Sequence, residues 1–530
     1  MADSYDVVVI GSGFGGAVVA ARLAEAGRSV CLLERGRRWA PADFPRSFSQ
    51  TQRAVWDPSA SYGFLDYRVF PRIDIVQGAG VGGGSLHYFN VQLRTPDAIF
   101  RRPEWPAPLS RDLLDPYYDR VHEVIESAPL VPPAGEVMPG RTIAFQDAAV
   151  RAGYDAQLVP IAVHTGPNRT NPVSGLNQEP CTYSSDCLLG CRAQAKNNLA
   201  VTFIPLGERH GLEVRPLHEA EQIKPDPAGG YTVVVRRFDP DQPGQFERWE
   251  VRGSRVVVSA GTLGSTELLL RARDVDRTLP GLPRAVGRHF SPNGDMIFAG
   301  TRDADVDVDP SHGPSITVGA FVNAPGSANL VTLQDLGFPP SITSILDEVL
   351  PAPVKIRDTA RAVSSYVKAM MGRSLFHAED LFGGSPVPRF LPYLGMGTDA
   401  RDGVFRIDEQ GQLDLHWDPA ASMAMFTEME NAMKRMSGAV GGKYVRSVLW
   451  RRPFRRLLTA HPLGGCVMSD SAARGAVNDR GEVWGHPGLY VADGAVLAGP
   501  LAVNPSLTIA AVAERIAHWM VHGEEFRGKG

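Results

Sequence analysis

Residues Tyr5 to Ile10 form a nearly unbroken apolar run, and the next six positions hold four glycines, at Gly11, Gly13, Gly15 and Gly16. An apolar run of this kind suits a parallel strand buried on both faces. Gly11, Gly13 and Gly16 have the spacing G-x-G-x-x-G between that strand and a helix. The first allows a tight turn, the second lets backbone approach a pyrophosphate, and the third permits close helix–strand packing. Ala17, Ala20, Ala21 and Ala24 keep the helix thin, Gly27 ends it, and Ser29 to Leu33 read as the next strand. Residues 1–36 therefore predict a complete βαβ unit with helix amides aimed at phosphates. Glu34 closes the second strand, placed to accept hydrogen bonds from an adenosine ribose. FAD and NAD both suit such an acid. A second strand-preceded glycine triplet is missing from the sequence, which favours one tightly held flavin reduced directly by its substrate.

Glycine makes up 55 of 530 residues, which fits many close backbone approaches around a large cofactor. Five of the seven positions from Gly78 to Gly84 are glycine, so that stretch turns tightly or touches something. Residues 37–75 look irregular. Asp112 to Glu126 reads as helix, 127–180 as loops and short elements, Asn197 to Arg209 as helix, and Leu212 to Arg215 as a short strand. Tyr231 to Arg236, Phe246 to Val251 and Val256 to Val258 read as three strands. The last runs into Ser259, Ala260, Gly261 and Gly264 and then a helix, so the nucleotide-binding sheet resumes there. Between 296 and 460 the glycine signatures stop. Phe405 to Trp417 alternates, and helices are expected at 343–370 and 420–438. Gly488 to Asp493 returns to strand, followed by a helix starting near Asn504. The fold class that follows is α/β: a Rossmann-like FAD-binding domain with an inserted substrate domain built on a mostly antiparallel sheet packed with helices. The expected divisions are 1–100, 191–295 and 461–530 for the FAD-binding domain, 101–190 for connecting and cap segments, and 296–460 for the substrate domain.

Formal charge is −4, with 21% charged and 43% hydrophobic residues. This composition argues against a disordered chain and gives no global reason to expect nucleic acid binding. The five cysteines suit a reducing compartment. No basic region or cleavage site precedes the first strand, so a cytoplasmic location is expected. Ala495 to Ala513 lacks charge but contains Gly499, Pro500, Asn504 and Pro505, which reads as a buried strand–turn–helix rather than a membrane span. Cys181, Cys187 and Cys191 lack a fourth ligand nearby, so no metal is predicted; free structural thiols or one internal disulfide are the readings left. Arg446 to Arg456 holds five arginines around Trp450 and Phe454. That run reads as a solvated or ion-paired face, with peripheral membrane contact as the alternative. Apolar, proline-rich stretches over 328–372 read either as a pocket or lid for a bulky substrate or as ordinary core. Nothing here fixes an oligomeric state.

Taken in order, Gly11 to Gly16, Gly80 to Leu86, Ser259 to Asp274, His461 to Cys466, Leu489 to Gly494 and Val503 to Pro505 resemble the motifs of the glucose–methanol–choline (GMC) flavin oxidoreductases. Within that family they are most similar to the cholesterol-oxidase-like branch. The resemblance implies FAD, hydride transfer from an alcohol to flavin N5, and reoxidation by O2, giving H2O2, or by another acceptor. It implies His461 as the active-site histidine and Asn504 as its partner. It places the cofactor against Gly11, Gly13, Phe14, Gly15, Gly16 and Glu34, then Gly80, Gly82, Gly83, Gly84, Ser85, His87 and Asn90. Ala260, Gly261, Gly264, Asp493, Gly494, Asn504 and Pro505 complete the contacts. Asn504 followed by Pro505 also reads as a helix N-cap and N1 pair, whose positive end suits charge growing on the reduced ring. His461 would assist deprotonation of the substrate hydroxyl.

Two positions depart from the branch. His87 stands where choline-oxidase-like relatives carry a flavin-linked histidine and the familiar cholesterol oxidases an apolar residue. Non-covalent FAD is expected, with a covalent link through His87 as the alternative. Matching the segment that ends in Pro392 to Leu394 puts Val387 where those oxidases carry an isomerising glutamate, with Glu379 and Asp380 the nearest upstream acids. Oxidation without efficient isomerisation follows. The expected substrate is a small apolar alcohol, foremost the 3-hydroxyl of a sterol or steroid. A terpenoid, polyol or other secondary metabolite is the alternative, and a non-catalytic flavin-binding electron relay is the further one.

Overall fold

A computed structural model describes residues 3–47, 50–51, 53–302, 308–339, 390–447, 449–450 and 455–526. β1 (Asp3–Ile10) runs into α1 (Phe14–Glu25) and β2 (Val30–Glu34), as the glycine spacing predicts. Gly11 takes φ +95°, and a Cβ on Gly16 would sit 1.9 Å from the Gly11 carbonyl oxygen, so helix and strand touch at backbone distance.

β1 lies in parallel between β2 and the long β9 (Phe246–Val258). β2 pairs outward with β6 (Glu213–Pro216), while β9 pairs with β8 (Tyr231–Phe238), and β8 with β7 (His218–Pro225). β20 (Leu489–Val491) lies along the C-terminal end of β9, completing a seven-stranded sheet. The two strands expected at 246–251 and 256–258 are one. Asp3 to Tyr5 pair with Val251 to Gly253, so the ladder carries straight through the gap. The polar β7 had no hydrophobic signal; the β8 ladder recruits it, a tertiary override of weak strand propensity.

The second large sheet has the order β17 (Lys443–Val445), β11 (Met296–Arg302), β14 (Phe390–Gly397), β13 (Val331–Asp335), β12 (Val318–Phe321) and β5 (Ala156–Leu158), with every neighbour antiparallel. β5 and α3 (Gly140–Arg151) come from the stretch expected only to connect. α3 and α6 (Met423–Ala439) cover one face. Tyr393 meets Phe145 edge-on there, and Gly395 leaves room for Met429, whose sulfur would lie 2.4 Å from an added Cβ. Because strand side chains alternate, Thr332, Gln334, Leu394 and Met396 occupy the opposite face.

Two small sheets tie the halves together. β18 (Leu457–Thr459) pairs in parallel with β4 (Ile73–Gly78), whose other neighbour is β3 (Leu65–Val69). β19 (Leu463–Gly465) pairs with β10 (Arg288–Ser291), followed by β15 (Gly403–Ile407) and β16 (Leu413–His416). The segment between β18 and β19 holds His461. One anchor of that segment leads into the second glycine cluster and the other into residues 291–295.

α2 (Arg111–Ile125), α4 (Phe203–Arg209), α5 (Gly261–Leu270) and α7 (Ser506–His522) complete the described long helices. The helix expected from Asn197 begins only at Phe203, because the Leu199 amide donates to the Ser85 hydroxyl instead. α7 packs on α1 and α2, where the buried Glu514 carboxylate receives Arg22 and Arg120. Among the described residues no helix is long and apolar enough to cross a membrane. In the arginine run, Arg446 pairs with Glu430 and Arg456 with Asp74, while 451–454 lie outside the described residues. The helix expected at 343–370 lies outside them too.

Candidate functional site

Two backbone approaches bring the glycine segments together. A Cβ on Gly83 (φ +52°) would lie 2.6 Å from Gly13 Cα, and one on Gly15 only 1.5 Å from the Ala492 carbonyl oxygen. Ser12 links turn, strand and second loop. Its hydroxyl donates to Glu34 Oε2 at 2.6 Å and accepts from the Gly82 amide at 3.0 Å. Glu34 also accepts from the amides of Ser12 and Gly36, filling three of about four lone-pair positions. Burial pushes its carboxyl above the ordinary range. Glu34 thus fastens the turn first; one acceptor position is left for a ribose.

Asp493 fixes the C-terminal side. It accepts from the Gly261 amide (2.8 Å), the Ser265 hydroxyl (2.5 Å) and the Ala495 amide (2.8 Å). Burial pushes its carboxyl up to about 6. Ala260 and Gly264 pack at the start of α5, where a Cβ on Gly264 would lie 3.0 Å from that of Ala260. Thr262 donates to the Pro462 carbonyl at 2.6 Å, and Gly494 lies against the same pair, so α5 is tied to the His461 segment.

After the second glycine cluster comes a short 3-10 turn, Gly83–Leu86, and then His87. Gly80 fits against Leu86 and the Arg37 carbonyl. Ser85 donates to the Gly82 carbonyl at 2.6 Å, and Phe14 meets Tyr88 edge-on. Lys196 is fully buried, and its ammonium donates to the carbonyls of Leu86, Tyr88 and Cys187 at 2.7 to 3.1 Å. It clamps the backbone on both sides of His87, and burial pulls its pKa down to about 8. Burial, then the Lys196 charge, pulls the pKa of His87 down to about 3. Asn90 (φ +68°) donates to Cys187 Sγ at 3.1 Å. All five cysteines are free thiols.

His461 Nδ1 lies 2.8 Å from Asp295 Oδ1. The other Asp295 oxygen accepts from the Thr459 hydroxyl (2.8 Å) and the Ala460 amide (3.1 Å), and the His461 amide donates to Thr459 Oγ1. Asn504 does not cap a helix. α7 starts at Ser506 with Pro505 as its N-cap and no side-chain cap, because Asn504 Oδ1 accepts from Gln334 Nε2 of β13 at 2.8 Å. That bond leaves the Asn504 amino group as the site's donor. Asn293 accepts from the Leu501 and Ala502 amides and donates to the Val503 carbonyl, pinning the approach to Asn504. Asp295, Gln334, Asn293 and Lys196 were not singled out from sequence. Only the dense polar turn Ser291 to Asp295 directly after a strand marked any of them.

The site fits a large polar cofactor. An added Cβ on Gly13 meets nothing within 4 Å, so packing does not explain glycine there, and α1 starts without a side-chain cap. His87 Nε2, Asn90 Oδ1 and Gln92 Oε1 are buried and unpartnered, where buried polar atoms ordinarily pair. The face of the second large sheet that carries Gln334 also carries Leu394 and Met396. Phe298 stacks on Phe338 at 5.4 Å within a cluster that includes Phe89, Leu394 and Met396. Val387, Glu379 and Asp380 lie outside the described residues.

Family models described as GMC oxidoreductase match residues 5–273 and 407–513. A cholesterol oxidase of Mycobacterium tuberculosis is 29% identical over 99% of this chain and 93% of its own length. One from Acinetobacter baumannii is 27% identical over 96% and 93%. The crystal structure of pyridoxine 4-oxidase from Mesorbium loti superposes with a TM-score of 0.61 at 17% identity, covering 98% of this chain and all of that one.

Proposed function

The chain belongs to the GMC oxidoreductases, an FAD-dependent alcohol oxidoreductase, and from that premise we propose that its substrate is a sterol or steroid oxidised at the 3-hydroxyl. What supports this reading is that Asn504 is held by Gln334, which pairs across the second sheet with Leu394 of the Phe298, Phe338, Leu394 and Met396 cluster, in a chain similar to cholesterol oxidases over nearly its whole length. FAD supplies the two-electron acceptor that takes the hydride from the carbinol carbon. The amides of the first turn would hold the pyrophosphate, with Gly13 and Gly84 leaving it room, and His87, Asn90, Asp493, Gly494 and Pro505 would border the ring. The Asn504 amino group donates to the substrate oxygen, and His461 Nε2 accepts its proton. His87 stays neutral and non-covalent, so acid precipitation releases the flavin into the supernatant. O2 would take up the two electrons as H2O2, with another acceptor as the alternative.

The test is anaerobic bleaching of the flavin by a panel of alcohols, followed by admission of air and measurement of peroxide. A 3β-hydroxysterol is expected to bleach fastest. His461→Ala is expected to keep its flavin and lose 10²-fold or more in reduction rate, roughly the contribution of a general base. An unchanged rate removes His461 from the mechanism. One observation favours a more polar substrate: Thr332 Oγ1 and Gln334 Oε1, on the face of β13 that meets Asn504, are buried without partners. Faster bleaching by a polyol than by any sterol selects that reading.

A further inference from the structure

We infer that Asp295 is a positioning residue that fixes the tautomer of His461, and that the turn Ser291 to Asp295 registers His461 against Asn504. The inference rests on His461 being the proton acceptor proposed above. An ionised carboxylate only accepts hydrogen bonds, so the Asp295–His461 contact of 2.8 Å requires the proton on Nδ1. The unprotonated nitrogen is then Nε2, the only ring position left to face a hydroxyl. When the substrate O–H breaks, its proton goes to Nε2. The electron pair left on oxygen closes the carbonyl as the carbon gives its hydride to the oxidised flavin.

Asp295 has no freedom to do otherwise. It is fully buried, and its second oxygen is held by Thr459 and Ala460, the residues just before His461. Two positions earlier on the same turn, Asn293 holds three backbone groups from Leu501 to Val503, just before Asn504. The turn is itself fastened from outside: Asp399 accepts from the Ser291 hydroxyl at 2.6 Å and the Gly294 amide at 2.8 Å. One five-residue turn thus joins the two polar residues that the chain order separates.

Asp295→Asn is the decisive substitution. The Thr459 and Ala460 donors keep the amide oxygen on their side, so the amino group faces Nδ1 and forces the proton onto Nε2. Flavin content is expected to stay at the parent level, substrate KM to change little, and the anaerobic reduction rate to fall by at least 10²-fold, toward the ~10⁴-fold loss that a wrong tautomer costs a carboxylate-held histidine. Asp295→Glu is expected to recover part of that loss, which a purely structural role would not produce. Independently of whether the Asp295 variants fold, two-bond 15N–1H correlations of 15N-histidine-labelled parent should show His461 protonated at Nδ1, its signal assigned by its absence from His461→Gln. Protonation at Nε2 in the parent, or Asp295→Asn reducing its flavin within three-fold of the parent, overturns the inference. If His461→Ala itself leaves the rate unchanged, the failure belongs to the proposed function and not to Asp295.

Discussion

At the residue scale the glycines of the first turn do different jobs. Gly15 has no room for a methyl group, because the Ala492 carbonyl oxygen lies 1.5 Å from where Cβ would be. Gly13 has ample room and φ −72°, ψ −168°, open to any residue. Gly15→Ala is therefore expected to destabilise the protein by ~3 kcal/mol, since α1 must move off the C-terminal segment. Gly13→Ala is expected to leave the apoprotein within about 1 kcal/mol of the parent and to weaken FAD binding at least tenfold. Denaturant unfolding and FAD titration of the two variants separate these roles. Full FAD affinity in Gly13→Ala would sink the account of the turn. The spacing assigned Gly13 to the pyrophosphate and Gly16 to packing; Gly15 lies outside the G-x-G-x-x-G positions, and only the approach of Ala492 gives it a role.

Among elements, the turn between β10 and β11 buries Asp295 and is fastened by a second buried carboxylate, Asp399. Asp399, which fastens it, is fully buried, and burial pushes its carboxyl from the ordinary 3.8 up to about 6. Between those two values the folded protein holds a proton that the unfolded chain has released. Stability contributed by this group is therefore present below about pH 4 and lost as pH rises through 6, by ~3 kcal/mol in all. The stability of the parent minus that of Asp399→Asn should accordingly fall between pH 4 and pH 6 and then level off. Urea midpoints for both proteins across that range test it, and a difference that stays flat or rises refutes the assignment. None of this was visible in the sequence, where Ser291 to Asp295 is only a polar turn and Asp399 lies more than a hundred positions away.

For the whole molecule, the nucleotide-binding sheet draws strands from residues 3–34, 213–258 and 489–491. The second large sheet draws from 156–158, 296–335, 390–397 and 443–445. A ligand gripped by the first turn, the second glycine cluster and the Asp493 segment would join residues 11–16, 78–84 and 493–494, so FAD should stabilise the nucleotide-binding sheet as a unit. At a free concentration about 100-fold above its Kd the gain is ~2.7 kcal/mol. Stripping the flavin should lower the melting temperature, and titrating FAD back should raise it in step with occupancy. A melting temperature indifferent to FAD would argue against a bridging cofactor.

The sequence by itself determined β1, α1 and β2, the glycine turns, the resumption of the sheet at Val256 and the antiparallel character of the middle. Each depends on side-chain period or on sterics among neighbouring residues. It also suggested, wrongly, that Asn504 caps a helix, because local signals cannot see a competing partner. Only the tertiary structure decided that Gln334 takes the Asn504 oxygen from 170 positions away and that Asp295 holds His461 from 166. Strand pairing and register set those meetings, since long-range contacts are fixed by which elements share a sheet rather than by what flanks a residue in the chain.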